Sequence, residues 1–490
     1  MKYISTRGGE VVSGLEAVWR GISSEGGLYI PQALPQSLPY QELMGRSLEE
    51  LMAEFFYRFL PDLPLDDWKA LLNQALQSLK EGQESFELPL VRVNNYLDRY
   101  YLLLADGLPT GSLSDLSGAI LRALLERTGE KDSRPGRPLI LAMVGEDHAA
   151  SSLSWAHGLP YLVIMSQNSV RSREIARLPA AQDQLLSFSE SFDERYREFT
   201  RLASDPSFEG QLRDRGFKPV FVGPGHIIEV LTAGALATAI VVSIKESMEE
   251  MDKIDFVVHK NHLSFLAGLV YASSLQLPLG LVYLGENEPG TLTSLFKSGR
   301  TAKPRRRRRR DDEGANWPVN LERLLFEVTG RDEERLREIL DQADQADRQL
   351  LTEDEVNLLN QSVVVGGNDY KRCLRTIRTF YDQTDYLLAR ETADAVAVWA
   401  KHVKQKDHVP VCFIQGRSPL TDYVSSGRAL FGDKAPRHDR EAAISMLAEE
   451  AGIPAWQSLD QAEVPTIPML EGPLDQAIVN WLDKEENHGF

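Results

Sequence analysis

The stretch Ile254–Gly285, IDFVVHKNHLSFLAGLVYASSLQLPLGLVYLG, contains the pattern that decides the fold. Its ends, IDFVVHK and PLGLVYLG, are short apolar runs typical of buried strands, and the segment between them has apolar residues at helical spacing. A strand, a helix and a second strand in this order are typical of a parallel sheet covered by helices. Ligands of such sheets bind beyond the carboxyl ends of the strands and at helix N-termini, so those ends hold the candidate site.

The same alternation extends along the chain from about residue 86. Further apolar runs, RYYLLLAD, RPLILAMVG, LPYLVIMS, DQLLSFS and VPVCFIQG, predict buried strands, and LTEDEVNLLNQSVV predicts helix. Residues 1–85 are expected to be mostly helical after a short start. We therefore predict an N-terminal domain at 1–85, an α/β core of two subdomains at 86–433 with a basic loop at about 301–316, and an extension at 434–490. This proline-punctuated extension is expected to wrap the surface.

Charge and cysteine content restrict the possible classes of function. The 490 residues include 72 acidic and 54 basic side chains, for a net charge of −18. This balance argues against nucleic-acid or anionic-membrane binding, because phosphates are repelled. Two cysteines, Cys373 and Cys412, do not form a disulfide framework and favour a reducing compartment, so a cytoplasmic location is expected. The uncharged run Val230–Ile244 is short for a membrane span and predicts a buried helix.

The segment Gly107–Asp115, GLPTGSLSD, lies between an apolar run and a helical pattern and carries no His, Cys, Lys or Glu. No lysine occurs between Lys80 and Lys131. Ser114 would need a nearby base to act as a nucleophile, and the adjacent Asp115 does not face it on a helix. We interpret Ser114 as a helix-start residue that caps backbone N–H groups.

Six short segments, taken in order, resemble the threonine synthase family of pyridoxal-phosphate (PLP) enzymes. They are MKYISTRG, GLEAVWRGISSEGGLYIPQALP, PTGSLSD, AMVGEDHAASSLSWAHGLP, VVHKNHLSFLAGLVYASSLQLPLG and IQGRSPLTDYVSSGRALFG. The resemblance implies the tryptophan synthase β-like PLP fold, fold type II, with parallel sheets flanked by helices and a helical N-terminal domain of the threonine synthase type.

The residues of this sequence do not match the PLP chemistry that the resemblance implies. The family's lysine forms a Schiff base with PLP, and Ser114 stands at the matching position, although Pro109, Thr110 and Asp115 are retained. A serine cannot form an imine.

Further contacts of the family with PLP and substrate also differ. The glycine-rich phosphate loop corresponds to Glu146–Ala149, EDHA, which has no glycine. The family's Gly-Asn-Phe-Gly loop corresponds to Lys260–Leu263, KNHL. The family's threonine that contacts the pyridine nitrogen of PLP corresponds to Arg417. The substrate segment corresponds to Val222–Val230, which has no asparagine. The candidate pocket residues are therefore Thr110, Ser114, Asp115, Asp147, His148, Lys260, Asn261, His262 and Arg417.

The combined losses predict a threonine synthase-like protein without PLP catalysis, which needs no cofactor and has a binding, regulatory or complex-forming role. The mixed charges of the pocket suggest a small amino-acid-like ligand. An alternative is an active threonine synthase, converting O-phospho-L-homoserine and water to L-threonine and phosphate, with Lys260 in place of the lost lysine. The residues also leave open a PLP-independent enzyme in the remodelled pocket, or an interaction protein without a ligand.

Two remaining patterns have weaker functional interpretations. His259 and His262 have a metal-like spacing and could join Asp147 and His148, but we predict polar filling of the pocket and no metal site. The run Arg305–Arg310 is followed directly by DDE and predicts a solvated loop. It could contact a protein partner or a second copy of the chain.

Overall fold

The computed structural model describes most of the chain. The described residues are 1–79, 87, 89–93, 99–129, 134–144, 159–166, 184–248, 250–288, 290–302, 317–403, 409–436, 439–453, 467–470 and 472–484. The strands in these ranges are β1 (Lys2–Ser5), β2 (Val11–Ser13), β3 (Tyr29–Pro31), β4 (Leu90–Val93), β5 (Tyr100–Leu103), β6 (Arg137–Val144), β7 (Tyr161–Ser166), β8 (Leu185–Phe188), β9 (Phe217–Val222), β10 (Ile254–His259), β11 (Leu279–Glu286), β12 (Val363–Gly367) and β13 (Val411–Ile414).

The helices follow the same order along the described chain. They are α1 (Gly14–Arg20), α2 (Leu48–Phe59), α3 (Leu65–Ser78), α4 (Ser114–Thr128), α5 (Phe192–Leu202), α6 (Pro206–Asp214), α7 (Ile227–Ser247), α8 (Leu263–Ser274), α9 (Thr291–Ser298), α10 (Leu321–Val328), α11 (Glu333–Gln342), α12 (Glu353–Asn360), α13 (Tyr370–Thr384), α14 (Arg390–His402), α15 (Tyr423–Phe431), α16 (Arg440–Ala451) and α17 (Leu474–Leu482). Short 3₁₀ turns include Lys260–His262 and Pro419–Asp422.

Two parallel sheets flanked by helices form the α/β core, as the sequence predicts. The larger sheet has the strand order β12-β11-β10-β13-β5-β4, and the smaller has the order β8-β7-β6-β9. All pairs are parallel except β4 with β5. The five apolar runs and both ends of the opening stretch are strands, which confirms those predictions.

The N-terminal region contains more strand than the sequence indicates. β1 pairs antiparallel with β2 and with β3 to form a small sheet before α2 and α3 begin. These strands have only three or four residues each. Periodicity over so few residues is too short to separate strand from loop, so the sequence does not show that the short start before α2 contains three strands.

The apolar helix α7 forms the centre of the core. It is long and apolar enough to cross a membrane by composition, but 94% of its most apolar window is buried inside the protein. Small residues let its neighbours approach closely: a Cβ on Gly234 would meet the ring of Phe55 at 2.3 Å, and a Cβ on Gly268 of α8 would meet the backbone nitrogen of Gly234 at 2.6 Å. The prediction of a buried helix over Val230–Ile244 is therefore confirmed.

The C-terminal extension does not only wrap the surface. Leu470 donates its backbone N–H to Ser187 of β8 at 2.7 Å, and α17 inserts Leu474 and Trp481 into the core below the smaller sheet. Prolines interrupt the chain around these apolar residues, so their helical spacing is not recognisable in the sequence.

One further prediction of secondary structure was wrong at its end. Val363 and Val364, predicted as the last residues of a helix, instead begin β12 because they pair with Val282 and Tyr283 of β11. The predicted helix itself is present but ends earlier, as α12.

The parallel pairing of the larger sheet brings several loops to one edge. β5, β10, β11 and β13 run in the same direction, so the residues that follow each of them meet at their carboxyl ends. The turn Gly107–Asp115, the 3₁₀ turn Lys260–His262 and the loop that begins at Gln415 therefore lie at a common edge.

Candidate functional site

The turn Gly107–Asp115 is held in place by hydrogen bonds to its own aspartate. The fully buried Asp115 carboxylate accepts from the backbone N–H of Thr110 at 2.7 Å and from the Thr110 hydroxyl at 2.8 Å. The backbone of the turn pairs with the loop after β13, since Leu113 donates to Gly416 at 3.0 Å and Ser418 donates to Gly111 at 2.7 Å. This pairing places the turn beside Arg417.

Ser114 begins α4 but does not cap it, which corrects the interpretation made from the sequence. The N-cap residue of α4 is Leu113, whose side chain forms no capping hydrogen bond. The Ser114 hydroxyl instead lies 2.9 Å from the Ser112 hydroxyl. A hydroxyl one residue inside the helix is too late in the chain to reach the free N–H groups of the first turn.

A buried carboxylate, Glu391 at the start of α14, joins three of the predicted pocket residues. Its Oε1 accepts from Nδ2 of Asn261 at 2.7 Å and from a guanidinium nitrogen of Arg417 at 3.1 Å. Its Oε2 lies 3.4 Å from Nε2 of His262. Burial opposes the charge, but the Arg417 guanidinium and the His262 imidazole hold the pKa of Glu391 well below its ordinary value.

The two histidines of the HKNH segment have different environments. His259 is fully buried, accepts the backbone N–H of Asn261 at Nδ1 and donates from Nε2 to Asn287 at 2.7 Å. Burial lowers the pKa of His259 to about 3, so its ring is neutral. His262 packs its ring against Gly416, where a Cβ would meet it at 2.2 Å. Glycine at 416 is thus what allows the ring to reach Glu391.

A second carboxyl group, Asp106, follows β5 at the same edge. Its Oδ1 is buried and accepts no hydrogen bond from the described residues. Burial raises the pKa of Asp106 to about 6, and a hydrogen bond with Ser418 offsets part of that effect. Asp106 therefore changes its charge close to neutral pH, unlike Glu391.

The structure brings together most of the predicted pocket residues that it describes. Thr110, Ser114 and Asp115 lie in one turn, and Asn261, His262 and Arg417 meet at Glu391. Lys260 is half-buried and follows His259 directly. Its ammonium group forms no ion pair within the described ranges. Asp147, His148 and the run Arg305–Arg310 lie outside the described residues. Within the described part of the chain, no cluster of three His, Cys, Asp or Glu side chains could hold a metal ion.

Sequence reasoning missed Glu391 and Asp106. Glu391 stands in the first turn of a helix, where acidic residues are common for electrostatic reasons alone, and nothing in its neighbourhood marks it as a pocket residue. Asp106 precedes a glycine at the end of a strand, which resembles an ordinary turn signal.

Comparison with known protein sequences shows similarity to threonine synthases. Residues 2–76 match the family described as threonine synthase N terminus. The threonine synthase of Methylobacillus glycogenes is 21% identical over 431 residues, which cover 82% of this chain and 86% of the relative.

Solved structures have the same architecture. The threonine synthase from yeast superposes with a TM-score of 0.77 at 15% identity, covering 99% of this chain and 98% of that one. The PLP-bound threonine synthase from Brucella melitensis gives a TM-score of 0.72 at 18% identity, covering 92% of this chain and 99% of that one.

Proposed function

Because the chain is related to the threonine synthases and has their fold, PLP fold type II, we propose that it has lost PLP catalysis and uses the remaining cleft for binding. The observation that carries the proposal is the side chain at position 114. A Schiff base needs a primary amine, and the hydroxyl of Ser114 lies against the hydroxyl of Ser112 instead.

The ion pair of Glu391 and Arg417 also supports the loss of PLP chemistry. A guanidinium is permanently cationic, so beside the pyridine nitrogen it would disfavour the protonated ring on which PLP depends as an electron sink. Here Arg417 is fixed by Glu391, which is itself held by Asn261. The described residues of the cleft therefore do not fit PLP.

The charges of the cleft favour a small ligand with groups of both signs. Glu391, Arg417 and His262 keep 15%, 15% and 13% of their side-chain surfaces exposed, so part of each side chain is accessible to solvent. The carboxylate of Glu391 is the anionic group of this cluster, with Oε2 buried 3.4 Å from Nε2 of His262. Lys260 and His262 could face a carboxylate. A small amino-acid-like zwitterion matches this arrangement.

A PLP titration tests the proposal directly. Purified protein is titrated with PLP, the visible absorbance is followed, and any imine is reduced with borohydride and located by peptide mapping. We expect no saturable imine band and no lysine labelled in proportion to protein. One stoichiometric adduct on a single lysine would overturn the proposal.

Lys260 carries the alternative, in which the chain is an active threonine synthase. It is the lysine that the described 3₁₀ turn places at the edge of the cleft, and the relatives are named threonine synthases. If an adduct forms on Lys260, Lys260→Ala should abolish it. Lys297→Ala, at the end of α9, is the matched control and should leave it unchanged. Release of phosphate from O-phospho-L-homoserine would then establish the activity.

A further inference from the structure

A second cluster of charged side chains, Arg390 and Arg428 around the ring of Tyr370, lies where α13, α14 and α15 meet. The guanidinium of Arg390 lies 5.3 Å from the centre of the Tyr370 ring, and the guanidinium of Arg428 lies 5.7 Å from the same centre. The Tyr370 ring therefore contacts two guanidinium groups. Their positive charges repel each other, and the attraction of each group to the ring is modest.

Neither arginine has a carboxylate partner within ion-pair distance in the part of the chain that is described. By contrast, Arg378 of α13 pairs with Asp382 and Arg417 pairs with Glu391. Arg390 is half-buried, and its Nε is buried without a hydrogen-bond acceptor among the described residues. A buried guanidinium donor without an acceptor is costly, so the position is suited to an acceptor supplied from outside the chain.

Two acidic side chains, Asp422 and Asp394, act on Arg390: burial opposes its charge, but their attraction raises its pKa. Asp422 uses a carboxylate oxygen to cap α15, where it accepts the backbone N–H of Ser425 at 3.2 Å. Asp394 is almost fully buried, and burial raises its pKa well above the ordinary value in spite of Arg390, which favours the neutral carboxyl. Neither Asp422 nor Asp394 forms an ion pair with Arg390 or Arg428 among the described residues.

We propose that Arg390 and Arg428, held on the ring of Tyr370, form a binding site for a small oxyanion of the phosphate class. Guanidinium groups bind such anions through paired N–H donors, and two of them match the charge of a phosphate dianion. Arg428 is exposed, so the anion can enter from solvent, and Arg390 lies inside to receive it. The site uses none of the side chains that meet at Glu391, and the proposal does not depend on the proposed loss of PLP catalysis.

Calorimetric titration with inorganic phosphate, at constant ionic strength set by chloride, tests the proposal. We expect saturable binding of one phosphate per chain, weakened at least tenfold in Arg428→Gln. Arg375→Gln is the matched control because Arg375 is an exposed arginine of α13 that does not contact Tyr370, and it should bind like the parent.

Tyr370→Leu provides a second test that keeps both charges. The two guanidinium groups lose their common support in this variant, and phosphate affinity should fall several-fold. Absence of saturable binding to the parent protein would overturn the proposal, as would equal weakening in Arg428→Gln and Arg375→Gln. Acetate in place of phosphate should bind more weakly, and equal affinity would exclude the phosphate class.

Discussion

Arg417 donates to Oε1 of Glu391 at 3.1 Å, across the cleft that separates the start of α14 from the loop after β13. The residues are 26 positions apart in sequence, one at the start of α14 and the other in the loop after β13. The pair is mostly buried, so each charge depends on the other.

Removal of the carboxylate from this pair should destabilise the protein. Glu391→Leu leaves Arg417 as a buried charge without its partner, and we expect a loss of about 3 kcal/mol in the free energy of unfolding. Urea unfolding followed by circular dichroism measures it. The double variant Glu391→Leu/Arg417→Met should recover most of the loss, since two apolar side chains need no partner.

A surface ion pair provides the control for that experiment. Asp382 and Arg378 are both about half exposed, and Asp382→Asn should change the stability by about 0.5 kcal/mol or less. A loss in Glu391→Leu no larger than this would show that the Arg417 charge reaches solvent.

Much of the fold is predictable from the sequence because long apolar runs are compatible with few secondary structures in a folded protein. β6, β7, β10 and β11 are recognisable as buried strands, and α8 is the crossover helix that the parallel pairing of β10 with β11 requires. β12 was missed because its first residues, Val363 and Val364, continue a helical pattern without a break. Its strand conformation comes from pairing with β11 along the edge of the sheet.

The candidate site was predictable only in part, for a different reason. Motif matches located Asn261, His262 and Arg417, and these side chains do converge. The group on which they converge, Glu391, belongs to a helix that no motif marks. Pairing of distant charges depends on packing, which neither periodicity nor spacing expresses.

Glycine at 416 should control the position of the His262 ring. Gly416→Ala places a methyl group within 2.2 Å of the imidazole and should displace it from Glu391, with a loss of about 1–3 kcal/mol in stability. Thermal unfolding measures the loss, and the imidazole proton shifts in NMR spectra report the displacement. His262→Ala in the same chain should relieve the clash. No gain from that second substitution would contradict the packing argument.

The buried His259 should make the protein sensitive to acid. Its pKa is about 3 in the folded state and near 6.5 when unfolded, so the stability it supports is present above pH 6.5 and is lost as the pH falls. Between about pH 7 and pH 5, His259→Gln should lose about 2 kcal/mol less stability than the parent. Urea unfolding at both pH values measures this difference. The exposed His402, changed to Gln, should not alter the pH dependence.

Asp106 should affect the pH dependence of stability in the direction opposite to that of His259. Its pKa is about 6 in the folded protein and 3.8 when unfolded, so the folded state binds its proton more tightly. The stability linked to this proton is complete below pH 3.8 and is lost as the pH rises through 6.

Asp106→Asn removes the titrating group while keeping an oxygen for Ser418. The stability of this variant relative to the parent should rise by about 1–3 kcal/mol between about pH 4 and pH 7.5. Urea midpoints across that range measure the change. Asp66→Asn, at a carboxyl that is 96% exposed, should keep a constant offset from the parent. A constant offset for Asp106→Asn as well would mean that water reaches Asp106 and that its pKa is not raised in the folded protein.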